Sequence, residues 1–360
     1  MLNLVCKIEI VSKKSAKVIR FDYVYDLVVT TSCKNLTDTA VVKVPRKMQW
    51  KGKPLTDYIN RDDVITIEIG YSPPPAPPKG GGDSSGLETV FKGYISGIEN
   101  GFPIVISCEN EMRLFKTINV PAEKIEKFDL KAYIEKYGGV KVNASEDVSF
   151  GGMDIREEMT LARALDEVMK VYPYVKGYFQ DGAFCAVLDP ERWGEGRKAI
   201  VFDTTCNMIS DNLTYTLAED VRIGVKAESI LRDNSRLNAY APAEAFDKSK
   251  GKDGKDTFTI KSDYAQRQFY NPHCTTQAEL QAYADKMAAE LVVDSMSGSF
   301  TAFGVPYVRK GDIVELRDVE RLERNGKCFL VDGVVYNFGS GGYRQVVTLG
   351  ARIGKGVGDG

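Results

Sequence analysis

Residues 64–109 read VITIEIGYSPPPAPPKGGGDSSGLETVFKGYISGIENGFPIVISCE. In the first arm Ile65, Ile67, Ile69 and Tyr71 alternate with polar or small residues, the period-2 pattern of a half-buried strand. The tract from Ser72 to Gly86 then gathers five prolines and four glycines, and a second strand-like run, TVFKGYISGIE, follows at once. The tract is open to four readings: a domain linker, a polyproline ligand, a phosphate-cradling loop, or an excursion within one hairpin. KGGGDSSG lacks the GxxxxGK[ST] spacing, and no helix pattern starts after it, so no phosphate loop is expected. PPPAPP satisfies PxxP, but such tracts are more often stiff polyproline segments without a dedicated reader.

Two alternating runs joined by Asn100-Gly101 predict a second hairpin, ending in FPIVISCEN, with positive φ at both turn residues. Gly93 and Gly97 share a strand face with Phe91 and Ile95, a pattern that marks a bend or the close approach of another backbone. Upstream, LVCKIEI puts Leu4, Cys6, Ile8 and Ile10 on one face, and VIRFDYVYDLVVTTS is rich in β-branched and aromatic residues.

Composition changes near residue 119. FDLKAYIEKY predicts a short helix, and Thr160 caps a second whose apolar stripe is Leu161, Leu165, Val168, Met169 and Tyr172, stopped by Pro173. GYFQDGAFCAVL predicts a hairpin turning at Asp181-Gly182. From about residue 207 the pattern returns to strands. DKSKGKDGKD (247–256) predicts a solvated hairpin tip, and Thr276-x-x-Glu279 a capping box that opens a helix over about 276–295. GDIVEL, KCFLVDGVVYNF and YRQVVTLGA close the chain as strands, with turns at Asn325-Gly326 and Gly339–Gly342.

The expected fold class is mainly β with an α+β insert: two β-barrel-like domains flanking a small α+β domain. The expected division is 1–117 (with 72–86 as a hairpin insertion), 118–206, 207–352, and a flexible tail over 353–360.

Composition narrows the function. The 360 residues carry 48 basic and 50 acidic side chains without long runs of one sign, which argues against general polyanion binding and sequence-specific nucleic-acid recognition. The amino-terminal residues alternate like a strand, so neither a signal peptide nor a membrane span is expected. Seven scattered cysteines never form CxxC and read as reduced, buried thiols. Any His-dependent mechanism would have to use the single histidine, His273, whose adjacency to Cys274 is no evidence of a dyad. Carboxylate neighbours (Asp62-Asp63, Glu157-Glu158, Glu219-Asp220) read as solvated loop charges. No catalytic, cofactor-binding or metal-binding residue is assigned, and no small-molecule substrate or cofactor is expected.

Three stretches together resemble the central baseplate hub proteins of contractile phage tails. That family includes the late control D proteins, and its barrels recur in the spikes of type VI secretion systems. The stretches are VITIEIGY followed by ETVFKGYISGIENGFPIVISCENEMRLFK; TLARALDEVMKVYPYVKGYFQDGAFCAV; and TTQAELQAYADKMAAELVV through FGVPYVRKGDIVELRD to the final GGYRQVVTLGAR. The motif positions that carry the resemblance are Gly93, Gly97, Gly304, Pro306, Gly311, Asp312, Gly342, Tyr343 and Arg344, all expected to be structural. The resemblance implies a homotrimeric ring with two similar barrels per chain, adapting a spike to a tail tube. Its implied partners are further copies of itself, the tail tube protein and the central spike protein. It implies a location in the virion tail baseplate or injection machine, assembled in the bacterial cytoplasm. It also places VITIEIGY and TVFKGYISGIE as successive strands of one barrel. The proline tract is then a loop, expected to leave part of 76–86 unpacked from its own barrel. The alternatives are a cell-wall hydrolase using a carboxylate pair and a glycan- or protein-binding module.

Overall fold

The computed structural model describes residues 3–72, 86–144, 149–150, 153–155, 157–173, 175–188, 193–194, 196–216, 222–231, 235–250, 256–291, 295–321 and 325–353. The chain is mainly β. Its amino-terminal strands are β1 (Asn3–Val11), β2 (Val18–Phe21), β3 (Asp26–Ser32), β4 (Thr39–Val44), β5 (Val64–Ser72), β6 (Leu87–Glu99) and β7 (Ile104–Glu109). They lie side by side in the order β2-β1-β5-β6-β7-β4-β3.

The quoted stretch is one hairpin and the strand after it. β5 and β6 pair antiparallel from Val64↔Tyr94 to Gly70↔Leu87, and the Tyr71 N–H donates to the Gly86 carbonyl at 3.0 Å. The two ends of the proline tract therefore meet across a ladder, and the tract joins neighbouring strands of one sheet. The expectation for 76–86 falls almost wholly outside the described residues.

Period-2 alternation is what drives these strands together. Ile8, Ile10, Ile65, Ile67, Ile69 and Ile106 are all fully buried on the inner face, each burial contributing about 1.5–3 kcal/mol. Leu4 keeps the same parity as Cys6 and Ile8 but sits at the sheet end and is exposed. The β6–β7 turn departs from expectation. Neither Asn100 nor Gly101 has positive φ. Pro103 cannot donate to the ladder, so pairing resumes only at Ile104 and the loop grows to four residues, ending in a cis Phe102–Pro103 peptide.

Helices α1 (Leu130–Gly138) and α2 (Leu161–Val171) follow, with β8 (Lys176–Gln180) and β9 (Ala183–Val187). Asp129 caps α1 by accepting from the Ala132 N–H at 3.0 Å, and Thr160 caps α2 by accepting from Arg163 N–H at 3.3 Å. Asp181 and Gly182, at φ 52° and 78°, make the tight β8–β9 turn that the sequence predicts.

Next come β10 (Ile200–Asp203), β11 (Met208–Asp211), β12 (Ile223–Ile230), β13 (Arg236–Ala241), β14 (Phe246–Lys250), β15 (Asp256–Ile260), β16 (Ala265–Tyr270) and α3 (Gln277–Leu291). The last strands are β17 (Ser299–Phe303), β18 (Ile313–Arg317), β19 (Lys327–Gly339) and β20 (Gly342–Ile353). Strands of two or three residues carry no label.

β3 pairs with β19 from Asp26↔Gly339 to Ser32↔Gly333, which splices the carboxy-terminal strands onto the amino-terminal set in one sheet of 15 strands among the described residues. A single apolar core runs from Ile8 and Ile65 to Phe300, Phe329 and Val347. The helical insert has its own core, and Val225, Ala227, Ala239, Leu280 and Ala284 from β12, β13 and α3 belong to it.

The capping box opens α3 as predicted: Glu279 N–H donates to Thr276 Oγ1 at 3.3 Å, and Glu279 Oε2 accepts from the N–H groups of Thr275 and Thr276 at 2.9 and 3.2 Å. Partial burial pushes the Glu279 carboxyl up, but these hydrogen bonds outweigh it and hold the group below its ordinary value. A depressed carboxyl stabilises the fold above its unfolded pKa, and that contribution fades as pH falls through the folded value. We predict that Glu279→Gln lowers the melting temperature at pH 7 by the equivalent of about 0.5 kcal/mol after solvent screening. The gap to wild type should close below about pH 4; a gap unchanged from pH 7 to 3 would contradict this account.

Candidate functional site: the seam between the two halves

The segment from Gly304 to Asp312, between β17 and β18, crosses from the carboxy-terminal strands to the amino-terminal ones. Tyr307 donates its hydroxyl to the Thr89 carbonyl on β6 at 3.1 Å and stacks on Tyr336 of β19 with centroids 5.6 Å apart. Tyr336, fully buried, donates to the Val308 carbonyl at 2.7 Å. Across the same seam Tyr71 of β5 meets Tyr343 of β20 at 5.8 Å.

Most of the motif positions converge here. A Cβ on Gly304 would stand 2.0 Å from the Tyr343 ring, so only glycine lets that ring lie flat on the chain. Pro306 follows a cis Val305–Pro306 bond, and its carbonyl accepts from Gln345 Nε2 at 2.5 Å, as the Phe303 carbonyl does at 2.8 Å. Asp312 accepts from the Arg309 N–H at 2.8 Å, closing the 309–312 turn; burial pushes its carboxyl above the usual range. Gly311 has φ +79° and abuts the Tyr178 hydroxyl of β8, and its carbonyl accepts from Trp193 Nε1 at 3.1 Å. Gly342, at φ +97°, closes the β19–β20 turn, and Arg344 lies over the Phe303 ring at 4.8 Å. Gly93 and Gly97 lie apart from this cluster, on β6. A Cβ on Gly93 would come within 2.3 Å of the Glu109 carbonyl oxygen, whereas Gly97 is open and adjoins a register shift opposite Ser107.

The seam also holds a buried charge network. Lys310, between motif positions Pro306 and Gly311, is buried and reaches Asp38 at 2.5 Å. Asp38 further accepts from Ser32 N–H and Asn110 Nδ2, each at 3.1 Å. Lys310 also lies 5.0 Å from the centre of the Tyr178 ring, and Arg309 pairs with Asp181 at the β8–β9 turn, 3.2 Å away. One loop thus ties the first strands, the helical insert and the last strands. Beside it lies a cleft of about 140 Å³ whose lining includes Phe91, Glu111, Asp181 and Arg309. Burial pushes the Glu111 carboxyl up, and the Asp38 charge adds to the shift. A second buried carboxylate, Asp332 on β19, pairs with Lys176 of β8 at 2.5 Å and Lys34 at 2.9 Å. Sequence reasoning missed both networks: Lys310 and Lys176 look like loop and strand-end charges, and only tertiary contact buries them.

Of the carboxylates named from the sequence, Asp62, Asp63 and Glu157 are held in ion pairs or backbone hydrogen bonds. Six of the seven cysteines are buried as expected, whereas Cys206 departs from that expectation and is exposed. Asp62 pairs with Arg113 at 2.7 Å, Asp63 accepts from the N–H groups of Lys13 and Asn60 at 2.8 Å, and Glu157 pairs with Arg163 at 3.0 Å. Glu219-Asp220 lies outside the described residues. The His273 N–H donates to Asn271 Oδ1 at 3.0 Å, and burial pushes the Cys274 thiol up to about 12, far from a thiolate nucleophile at neutral pH.

This architecture is that of tail proteins from phages and injection machines. No protein-family model matches the sequence, and no curated protein sequence matches it. Solved structures do match the fold. A 43 kDa tail protein of prophage MuSo2 from Shewanella oneidensis superposes with TM-score 0.62 at 13% identity, over 97% of this chain and 98% of that one. A tail protein from Neisseria meningitidis MC58 gives TM-score 0.60 at 12% identity, over 96% of each chain. The Escherichia coli c3393 protein, a type VI secretion component described as similar to the T4 tail proteins gp27 and gp5, gives 0.51 at 9% identity, over 92% of this chain and 76% of that one.

Proposed function

We propose that this chain is a structural hub of a contractile phage-tail baseplate or a related injection machine. Three copies form a ring that adapts a central spike to the tail tube. The observation that carries this reading is the fold shared with tail proteins along nearly the whole length of both chains. The seam supports it, because a hub must transmit load between its two barrel-like halves. Here the amino- and carboxy-terminal strand sets are joined by a continuous ladder, a tyrosine cluster and a buried ion pair.

The partners are further copies of this chain, the tube protein and the spike protein, and the location is the tail of the particle. Carboxylates engaged in ion pairs and backbone hydrogen bonds give the hydrolase reading no support. Light scattering on the eluting full-length chain, with pull-down of the neighbouring tube and spike proteins, tests the proposal. A trimer that captures both is expected. A strict monomer at high micromolar concentration that captures neither would sink it, as would release of reducing ends from purified peptidoglycan.

A further inference from the structure

The small sheet β13-β12-β16 treats its two edges differently. On β13 the Asn238 and Tyr240 carbonyls point sideways and are taken by Gln277 Nε2 at 2.8 Å and Gln281 Nε2 at 3.0 Å. These glutamines stand one turn apart on α3, so a helix covers that edge. β16 has no such cover. It pairs only with β12, in parallel. Ala265 N–H donates to Arg222 O at 2.8 Å and Asn271 N–H to Glu228 O at 3.0 Å. The odd-numbered amides therefore face β12, and the backbone of Gln266, Gln268 and Tyr270 faces outward. No strand among the described residues pairs with that outer row, and every residue of β16 except Phe269 is exposed.

The arm β14–β15 projects from the same region. Asp247, Lys248, Ser249, Lys250, Asp256 and Thr257 are all exposed, and the arm is anchored at its base by Phe246 and Phe258 against Tyr240, at 5.1 and 4.5 Å. A two-stranded ribbon is marginal alone. The Lys261 N–H bonds the Ala245 carbonyl, so the odd residues of β14 face β15 and Lys248 and Lys250 turn their backbone outward, whereas the Phe246 N–H is taken by the Ala243 carbonyl. The arm thus offers two complete outward positions, Lys248 and Lys250, to the outward row of the edge. Charges nearby are paired locally: Arg222 with Asp263, Lys248 with Asp256 at 2.7 Å, and Arg236 with Glu228 at 3.2 Å. Arg267 on β16 and Asp247 on β14 have no ion pair among the described residues.

We propose that β14 of a second copy adds to the outer edge of β16, with Asp247 of one chain supplying the carboxylate for Arg267 of the next. This inference rests on the ring reading. Arm and edge are different surfaces, so the contact is heterologous and closes when the third copy meets the first.

Light scattering and sedimentation of the full-length chain test it with four variants. Gln268→Pro removes an outward N–H that the single chain does not use, so its circular dichroism should match wild type while the association constant falls at least about tenfold. Arg267→Asp and Asp247→Arg should each weaken association several-fold, and the double reversal should restore most of it, which holds as a test even if the proline variant misfolds. A wild-type trimer that none of these variants weakens would leave the ring standing and overturn this contact. A monomeric wild type would overturn the ring reading and this inference together.

Discussion

Asp38→Ala should lower the stability of the chain by about 3–5 kcal/mol, the cost of leaving a buried charge without its partner. The acceptor lost is the one that holds the Lys310 ammonium at 2.5 Å; among the described residues no other carboxylate forms an ion pair with it, and the Tyr178 ring would remain against it. Asn110 Nδ2 and the Ser32 N–H would lose their acceptor too. Replacing both charges, as Asp38→Leu with Lys310→Met, should cost clearly less than the single change, because no charge is then stranded. Urea denaturation followed by tryptophan fluorescence reads both. An Asp38→Ala loss under about 1 kcal/mol would mean that Lys310 finds water, and that the seam is not closed.

Gly311→Ala should be of similar severity, for different reasons. At φ +79° an L residue pays about 1–2 kcal/mol for the left-handed backbone. Its Cβ would also fall 1.9 Å from the Tyr178 hydroxyl, an overpacking that costs about 1–3 kcal/mol. The two parts are separable. The Tyr178 hydroxyl is buried without a hydrogen-bond partner, so Tyr178→Phe alone should be close to neutral. In the Gly311→Ala background the same change should recover part of the steric cost and none of the backbone cost. Equal effects of Tyr178→Phe in both backgrounds would refute the steric half of the explanation.

The strands of the opening stretch, both helices of the insert and the capping box of α3 are legible in the sequence, because each is set by residues a few positions apart. Ile65, Ile67 and Ile69 declare their face locally, and Asp181-Gly182 declares its turn. The Asn100-Gly101 turn misleads for an equally physical reason: Pro103, two positions on, denies the ladder a donor and lengthens the loop. The seam is different. Gly304 and Gly311 are visible as motif glycines, but their need for glycine comes from Tyr343 and Tyr178, 39 and 133 positions away in the chain. Asp38 and Lys310 meet across 272 positions, and no periodicity records a contact of that span. The shared core of β12, β13 and α3 with the helical insert is likewise fixed by packing between distant segments.

Electron microscopy of the purified full-length chain, with class averages computed without imposed symmetry, tests the central claim most directly. The account predicts rings of three chains whose six barrel-like halves give a pseudo-sixfold outline. Particles the size of a single chain with no rotational symmetry, persisting when spike and tube proteins are added, would contradict it.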